Sequence, residues 1–194
     1  MSGTQMVPGQ LESNQTLPAF GKLSGIHLEP RWYVAQTCSR HEKRVAEQLS
    51  TRGVENFLPL YEMVSRWKDR RVRVQLPLFP GYVFVRVALQ ERRRALEIPS
   101  VARLVGFGGL PVPLPDDEME AMRNGLVGQL RAEPHPYLTV GRRVRIKFGP
   151  LAGLQGILLR KKASYRFVLS LELIHRSIVV DVDAADLLPL SLKP

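Results

Sequence analysis

The fold of this chain is constrained most by a change of sequence periodicity at Pro134–His135–Pro136. Before this point, stretches with helical spacing of apolar residues alternate with strand-like stretches, whereas after it only short strand-like stretches occur. Because side chains repeat every 3.6 residues in a helix and every two in a strand, the change predicts two differently built units. We expect a mixed α/β unit over residues 30–130, a linker over 131–138 and an all-β unit over 139–194. Residues 1–29 have no sustained periodicity and are rich in Gly, Ser, Gln and Pro, so we expect a mobile tail there.

The N-terminal unit begins with the strand-like run "RWYVAQT" and continues into a helical pattern. Ser39 and Glu42 have the spacing of a capping box, Val45 and Leu49 lie on one helical face, and Gly53 is a stop signal. Later strands, a hairpin around "KDR", a short helix at "ERRRALE" and a longer helix opening at the acidic residues 116–118 complete the pattern. Carboxylates at a helix start favour the positive end of its dipole, so we interpret that acidic run as structural and not as a metal site.

Residues 77–85, "PLFPGYVFV", combine a turn with an unusually aromatic strand. Pro80 and Gly81 set the turn, and strand alternation then places Tyr82 and Phe84 on the same face. Two interpretations are open for these rings together with Phe79. They are core residues, or they form a docking surface, since aromatic side chains bury large areas at interfaces with little loss of entropy.

The C-terminal unit consists of closely spaced short strands, which predict a small antiparallel barrel of five strands. In "VGRRVRIKFGPLAGLQGIL", Val144 and Ile146 alternate with Arg145 and Lys147, so one face is apolar and the other basic. The "GPLAG" run suits a tight turn, and Gly156 allows a bend or a close approach of two backbones.

Charge and motif content bear on the class of function. The net charge is +10, with 16 Lys and Arg against 11 Asp and Glu over residues 31–127, and 10 against 4 over residues 140–194. Because both units are basic, the charge favours a function in contact with a polyanion such as nucleic acid. The sequence has no phosphate-binding loop, no zinc spacing and no readable nucleophile–base pair, so we expect no enzyme activity, catalytic residue, metal or cofactor.

The cysteine and apolar content bear on location. The single cysteine, Cys38, cannot form an intramolecular disulfide, and we interpret it as a small packing residue. We find neither a secretory signal nor an apolar run that could span a bilayer. We therefore expect a cytoplasmic protein that is monomeric and does not bind membranes.

Three stretches in order, "RWYVAQT", "LFPGYVFV" and "VARLVGF", resemble the NusG family of transcription elongation factors. The later "VGRRVRIKFGPLAGLQGIL" is similar to the KOW motif of that family, so the likeness covers about residues 31–190. The resemblance implies an α+β fold: an N-terminal α/β sandwich with a mainly antiparallel sheet (NGN-like), followed by an SH3-like five-stranded barrel. The KOW positions are Val144, Ile146, Gly149, Pro150, Gly153 and Gly156.

The same resemblance implies that the N-terminal unit binds RNA polymerase at its clamp helices through an apolar pocket. The pocket positions correspond to Trp32, Phe79, Tyr82, Phe84 and Leu104. A second contact, to the polymerase or to nucleic acid, corresponds to Arg92, Arg93 and Arg94. Candidates for phosphate contacts, to either non-template DNA or RNA, are Arg40, Lys43, Arg44, Arg70, Arg71 and Arg73. A solvated surface without a ligand is the equally open alternative for these side chains.

In the C-terminal unit, the resemblance assigns partner binding, to the Rho terminator or to a small-subunit ribosomal protein, to Leu173, Ile174 and Arg176. His175 replaces a residue that is often glycine in relatives. The sequence of the predicted hairpin resembles specialised antiterminators such as RfaH and capsule-operon factors more than it resembles the housekeeping factor. In some of these the small domain switches to a helical form, but the β-branched run "RSIVVDV" favours a barrel here. The alternative is a KOW-containing protein that binds RNA or ribosomes and does not bind polymerase.

Overall fold

The computed structural model describes residues 28–66, 70–127, 132–135, 141–161, 164–182 and 186–190. Nearly all of the predicted N-terminal tail lies outside these residues. So do Lys68 and Asp69 of the predicted hairpin turn, and part of the predicted linker over 131–138.

The N-terminal unit is built on a four-stranded antiparallel sheet with the order β2-β5-β1-β6. The described residues of the whole unit form eight strands: β1 (Arg31–Thr37), β2 (Glu55–Phe57), β3 (Leu60–Arg66), β4 (Arg71–Pro77), β5 (Tyr82–Val87), β6 (Val101–Leu104), β7 (Gly106–Phe107) and β8 (Leu110–Pro111). As the sequence predicts, β3 and β4 pair as a hairpin of their own. The short strands β7 and β8 form a second hairpin.

Within the described residues, three α-helices accompany this sheet, α1 (Glu42–Thr51), α2 (Arg93–Leu96) and α3 (Asp116–Val127), together with a 3-10 turn at Leu89–Glu91. Gly53 ends α1 as predicted, since it takes φ +66° and the N–H of Val54 donates to the carbonyl of Leu49 at 2.9 Å. The predicted capping box is wrong. His41 is the N-cap without a side-chain bond, and the Glu42 carboxylate instead accepts the N–H of Gly81 at 2.6 Å. A buried carboxylate needs a donor, and the turn before β5 supplies it.

The two faces of the N-terminal sheet have different partners. Tyr33 and Val83 face one side, where they pack in a cluster with Val45 and Leu49 of α1. Trp32, Val34 and Phe84 face the other side, which we call the aromatic face, and Tyr82 packs there as the alternation predicts.

The C-terminal unit is a six-stranded antiparallel sheet, consistent with a KOW-like barrel, with the order β14-β10-β11-β12-β13-β9. Its strands are β9 (Ala132–His135), β10 (Arg142–Ile146), β11 (Gln155–Lys161), β12 (Ser164–Leu171), β13 (Arg176–Val182) and β14 (Leu187–Pro189). The five strands predicted for residues 139–194 are all present as β10 to β14, and the linker prediction is corrected at residues 132–135, which form a sixth strand that pairs with β13. Pro134 lacks an N–H, which an edge strand tolerates, and its strand covers backbone groups of β13.

Apolar packing runs from the aromatic face through α3 into the C-terminal sheet. Met119 and Met122 of α3 line a small apolar gap together with Leu154, Leu169 and Leu171. The two units therefore share one core, and α3 lies at the seam between them.

Candidate interaction surfaces

The aromatic face brings together four of the five residues predicted for the apolar pocket. Phe79 and Phe84 meet edge to face with ring centroids 5.6 Å apart, and Phe57 lies 6.1 Å from Phe84. Trp32, Phe79 and Phe84 are only 2%, 1% and 0% exposed, so these rings are core residues in this arrangement. Tyr82 is half-buried, so part of its ring stays accessible.

Leu104 is separated from this cluster. It pairs with Ala35 in the sheet and packs on the opposite face, with Tyr33 and Val83. The next residue, Val105, contributes to the aromatic side instead. The pocket prediction is therefore corrected at this position by the register between β1 and β6.

Sequence reasoning missed two further aromatic residues at the rim of the cluster. Phe57 and Tyr61 are half-buried and pack against the same core as Tyr82. Phe57 ends β2 and Tyr61 lies near the start of β3, on either side of Pro59, and the pairing of Phe57 with Phe84 brings Phe57 to this face. No local motif in the sequence marks that pairing.

A charged network borders the aromatic face. Arg123 of α3 donates to Glu55 Oε1 at 2.7 Å, and Arg86 donates to Glu55 Oε2 at 3.3 Å. The guanidinium of Arg123 also lies 5.4 Å from the Trp32 ring centroid, a cation–π distance. Although burial alone would raise it, the hydrogen bonds from Arg123 and Arg86 hold the pKa of Glu55 below its usual value. The network fixes α3 against the sheet.

The arginines after β5 have mixed surroundings. Arg94 pairs with Glu91 at 3.2 Å and donates to the carbonyl of Arg52 at 2.6 Å, so it stabilises the end of α1. Arg92 donates to the carbonyl of Leu89 at 3.3 Å. Arg93 is exposed. Arg94 thus has a structural role that the predicted polymerase or nucleic-acid contact did not include.

Two basic surfaces lie elsewhere on the N-terminal unit. On the β3–β4 hairpin, Arg66 and Arg71 are directly opposite each other, an unfavourable like-charge pair unless a polyanion is nearby. Arg70 and Arg73 flank this pair and are also exposed. On the other side, Arg40, Lys43 and Arg44 are exposed at the start of α1.

The KOW segment is a well-defined corner of the C-terminal sheet. Val144 and Ile146 are buried, and Gly149 and Gly153 take φ +89° and +91° on either side of the turn that contains Pro150. A Cβ at Gly156 would overlap the carbonyl oxygen of Val168 and the Phe167 ring. The predicted close approach at Gly156 is confirmed.

The predicted partner-binding loop is a short 3-10 turn, Glu172–Ile174, followed by His175. His175 takes φ +49°, the left-handed region that favours glycine. Ile174 is buried, whereas Leu173 lines the open cavity between the units and Arg176 is exposed. Only Leu173 and Arg176 of the three predicted residues are therefore reachable in this arrangement.

Other predicted features are placed as follows. Asp116 opens α3 and pairs with Arg31 at 3.1 Å, which agrees with the structural interpretation of the acidic run. Cys38 is exposed, so its interpretation as a packing residue is wrong.

Within the described ranges, no group of His, Cys, Asp and Glu side chains is arranged to hold a metal ion. No helix in this part of the chain is long and apolar enough to cross a membrane.

Comparisons with known proteins identify relatives. Residues 30–123 match the family model NusG, described as transcription termination factor nusG. The transcription termination/antitermination protein NusG of Vibrio vulnificus is 34% identical over 140 residues, covering 65% of this chain and 76% of that protein. The protein of the same name from Escherichia coli K12 is 31% identical over 171 residues, covering 79% and 92%. A solved structure of Thermotoga maritima NusG aligns with TM-score 0.52 and 22% identity over 83% of this chain and 97% of that one, which supports the fold.

Proposed function

The chain belongs to the NusG family of transcription termination and antitermination factors, and from this premise we propose that it binds RNA polymerase through the aromatic face and recruits a second partner through its C-terminal sheet. The relatives are transcription factors and not enzymes, in line with the absence of catalytic motifs from the sequence. The matched relatives are NusG proteins themselves, so the closeness to specialised antiterminators stays a prediction.

The observation that carries the proposal is the half-exposed aromatic rim within the family-matched domain. Tyr82, Phe57 and Tyr61 pack against buried rings and leave part of their own surface accessible. Such rigid aromatic groups next to an apolar core are typical energetic centres of protein interfaces. We propose that the apolar side chains of the polymerase clamp helices meet this rim first.

Contact with Trp32, Phe79 and Phe84 requires a further step. These rings are at most 2% exposed, and Arg123 of α3 lies over Trp32. Binding through the full predicted pocket therefore needs the side chains that cover it to move. Among the predicted pocket residues, Tyr82 alone is half-buried and not fully buried, so its substitution tests binding with the least disturbance of the fold.

Nucleic acid is the second proposed ligand class of the N-terminal unit. The opposed Arg66 and Arg71 of the hairpin, with Arg73 beside them, present positive charge away from the core. Phosphate neutralisation relieves such like-charge repulsion and releases counterions. We assign the hairpin the principal contact to non-template DNA or RNA, and α1 with Lys43 and Arg44 a secondary one.

For the C-terminal sheet we propose binding of Rho or a small-subunit ribosomal protein through Leu173 and Arg176. Leu173 offers partly accessible apolar surface and Arg176 an exposed charge on adjacent sides of the His175 turn. Ile174 supports the turn from within the core. Whether the outcome is pausing, termination or antitermination depends on which partner is recruited.

The experiment is retention of purified RNA polymerase by the immobilised full chain, compared with the Tyr82→Ala variant. Polymerase retained by the wild type and lost by Tyr82→Ala supports the proposal. Ribosomes or RNA retained in a salt-sensitive manner, with no polymerase, would favour the alternative of an RNA- or ribosome-binding KOW protein. Phe107→Ala is the control, since Phe107 is 70% exposed at the β7–β8 turn and outside the aromatic face.

A further inference from the structure

The edge of β13 is covered by a strand of unusual composition. β9 has the sequence AEPH, and Ala, Glu and Pro are all depleted in β-strands. β13 has the sequence RSIVVDV, in which β-branched residues favour strand pairing. Residues 132–135 are therefore a strand because they pair with β13, and a segment with a higher strand propensity would pair there more strongly.

The cover that β9 provides is incomplete. On its other side β13 pairs with β12 along its full length, whereas the described residues of β9 pair with Ser177–Val180 alone. The backbone of Arg176 and of Asp181–Val182 therefore extends beyond β9 at the two ends of this edge. Such backbone groups are a template for another strand. A second strand can begin to pair at one end of β13 and displace β9 from there.

Two side chains of β9 show what a displacing strand must carry. Ala132 is 7% exposed and packs in the shared apolar core. The next residue, Glu133, has its Oε2 3.7 Å from Nη1 of Arg166, and Nε of Arg166 lies 3.0 Å from Oδ1 of Asp181. The edge therefore accepts a small apolar side chain at the first position and favours a carboxylate at the second.

The covered edge adjoins the proposed partner contacts of the C-terminal sheet. Arg176 is the first residue of β13, and Leu173 lies in the 3-10 turn just before it. A protein that contacts these two side chains is therefore in position to lay an extended segment along β13.

We propose that the edge of β13 binds an extended segment of the recruited protein as an antiparallel strand, and that β9 is an internal competitor which this segment displaces. The segment has a small apolar residue followed by an acidic one, and then a β-branched residue where β9 has Pro134. In strand addition of this kind, main-chain hydrogen bonds supply affinity and alternate side chains supply specificity. The inference rests on the proposed function, because recruitment of a partner by the C-terminal sheet is part of it.

The test is fluorescence anisotropy of a labelled peptide with the full chain, in the absence of polymerase, Rho and ribosomes. The peptide has the sequence of residues 130–137 with Val in place of Pro134 and Pro136. The same peptide with both prolines retained is the matched control. We expect saturable binding of the Val peptide, about fivefold or more tighter than that of the Pro peptide, because proline is disfavoured in paired strands.

A charge reversal in β9 tests the competition. Glu133→Arg loses the ion pair and places a second cation beside Arg166, which weakens the pairing of β9 with β13. Affinity for the Val peptide should then increase about threefold or more, because the competitor is weakened. Glu120→Arg, the same change at an exposed residue of α3, should leave the affinity unchanged.

A disulfide tests whether the peptide occupies the position of β9. His135 and Ser177 are directly opposite each other, and opposed residues of antiparallel strands have a Cα separation that a disulfide accepts. The variant is His135→Cys with Ser177→Cys in a Cys38→Ser background. Peptide binding should be lost in the oxidised protein and restored by reduction.

Circular dichroism first establishes that each variant is folded. Absence of peptide binding by both the wild type and Glu133→Arg, or equal binding by the oxidised and reduced disulfide variant, would overturn the proposal. Self-association of Glu133→Arg without peptide binding would also overturn it and would assign the edge to a second copy of this chain. Because no partner protein is present, peptide binding without recruitment of any partner would contradict the proposed function alone.

Discussion

Arg123 Nη1 lies 2.7 Å from Glu55 Oε1, and this contact joins α3 to the edge strand β2 of the N-terminal sheet. The same guanidinium lies over Trp32 and 6.0 Å from the Phe57 ring centroid. The pair therefore holds α3 in place and covers part of the aromatic face.

Glu55→Gln is expected to lower the free energy of unfolding at neutral pH by about 0.5–1 kcal/mol, since both partners are partly exposed. The folded-state pKa of Glu55 is lowered, so its contribution is present above the unfolded-state pKa and is lost as the pH falls through the folded value. Urea unfolding from about pH 6 to about pH 3 measures this. The difference between wild type and Glu55→Gln should shrink with acidification, and a constant difference would contradict the ionic role.

Gly156→Ala is expected to destabilise the C-terminal sheet by about 1–3 kcal/mol, because the new methyl group overlaps the backbone of Val168 and the Phe167 ring. Gly149→Ala is the comparison. A Cβ at Gly149 would have no neighbouring atom within 4 Å. The cost of this substitution is the strain of a side chain at φ +89°, about 1–2 kcal/mol. Thermal unfolding followed by circular dichroism measures both. Equal stability of Gly156→Ala and wild type would show that β11 and β12 are not closely packed there.

Phe84→Ala is expected to cost about 3–5 kcal/mol of folding stability, because Phe84 is fully buried between Phe57 and Phe79. Tyr82→Ala should cost clearly less, since Tyr82 is half-buried. Denaturant unfolding of the two variants gives the comparison. If they were equally destabilised, Tyr82 would be a core residue and not part of an accessible rim.

The double variant Arg71→Gln, Arg73→Gln is expected to weaken nucleic-acid binding at low salt and to lower the salt slope by up to about 1.8 for duplex DNA. Removing Arg71 also relieves its repulsion from Arg66, whereas removing Arg73 loses an exposed ion pair with Glu62 at 3.9 Å, so folding stability should be nearly unchanged. Electrophoretic mobility shifts over a salt series, beside thermal unfolding, measure both effects. Unchanged salt dependence would show that Arg71 and Arg73 of the hairpin do not contact nucleic acid.

Much of the N-terminal unit could be predicted because its signals are local. The stop at Gly53 and the shared face of Tyr82 and Phe84 follow from φ preference and strand period alone. The motifs that resemble the NusG family, in the order in which they occur, then predict the fold and a transcription elongation factor.

The errors arose where partners are distant in sequence. The spacing of Ser39 and Glu42 predicts a capping box, but the hydrogen bond of Glu42 runs to Gly81, 39 residues away. The family resemblance groups Leu104 with the aromatic residues, but the register opposite Ala35 turns it to the other face. The sequence of residues 132–135 predicts a linker because Pro134 interrupts the local pattern. These residues form a strand because they pair with the edge of β13, which is distant in sequence. Pairing register is a tertiary property that local spacing does not encode.

The central claim is tested most directly by surface plasmon resonance of purified RNA polymerase over the immobilised full chain, with Tyr82→Ala and the control Phe107→Ala on parallel surfaces. The account predicts saturable binding by the wild type and Phe107→Ala, and binding by Tyr82→Ala at least about fivefold weaker, as expected for an aromatic interface residue worth more than about 1 kcal/mol. Equal binding by all three proteins, or no binding by the folded wild type, would contradict it.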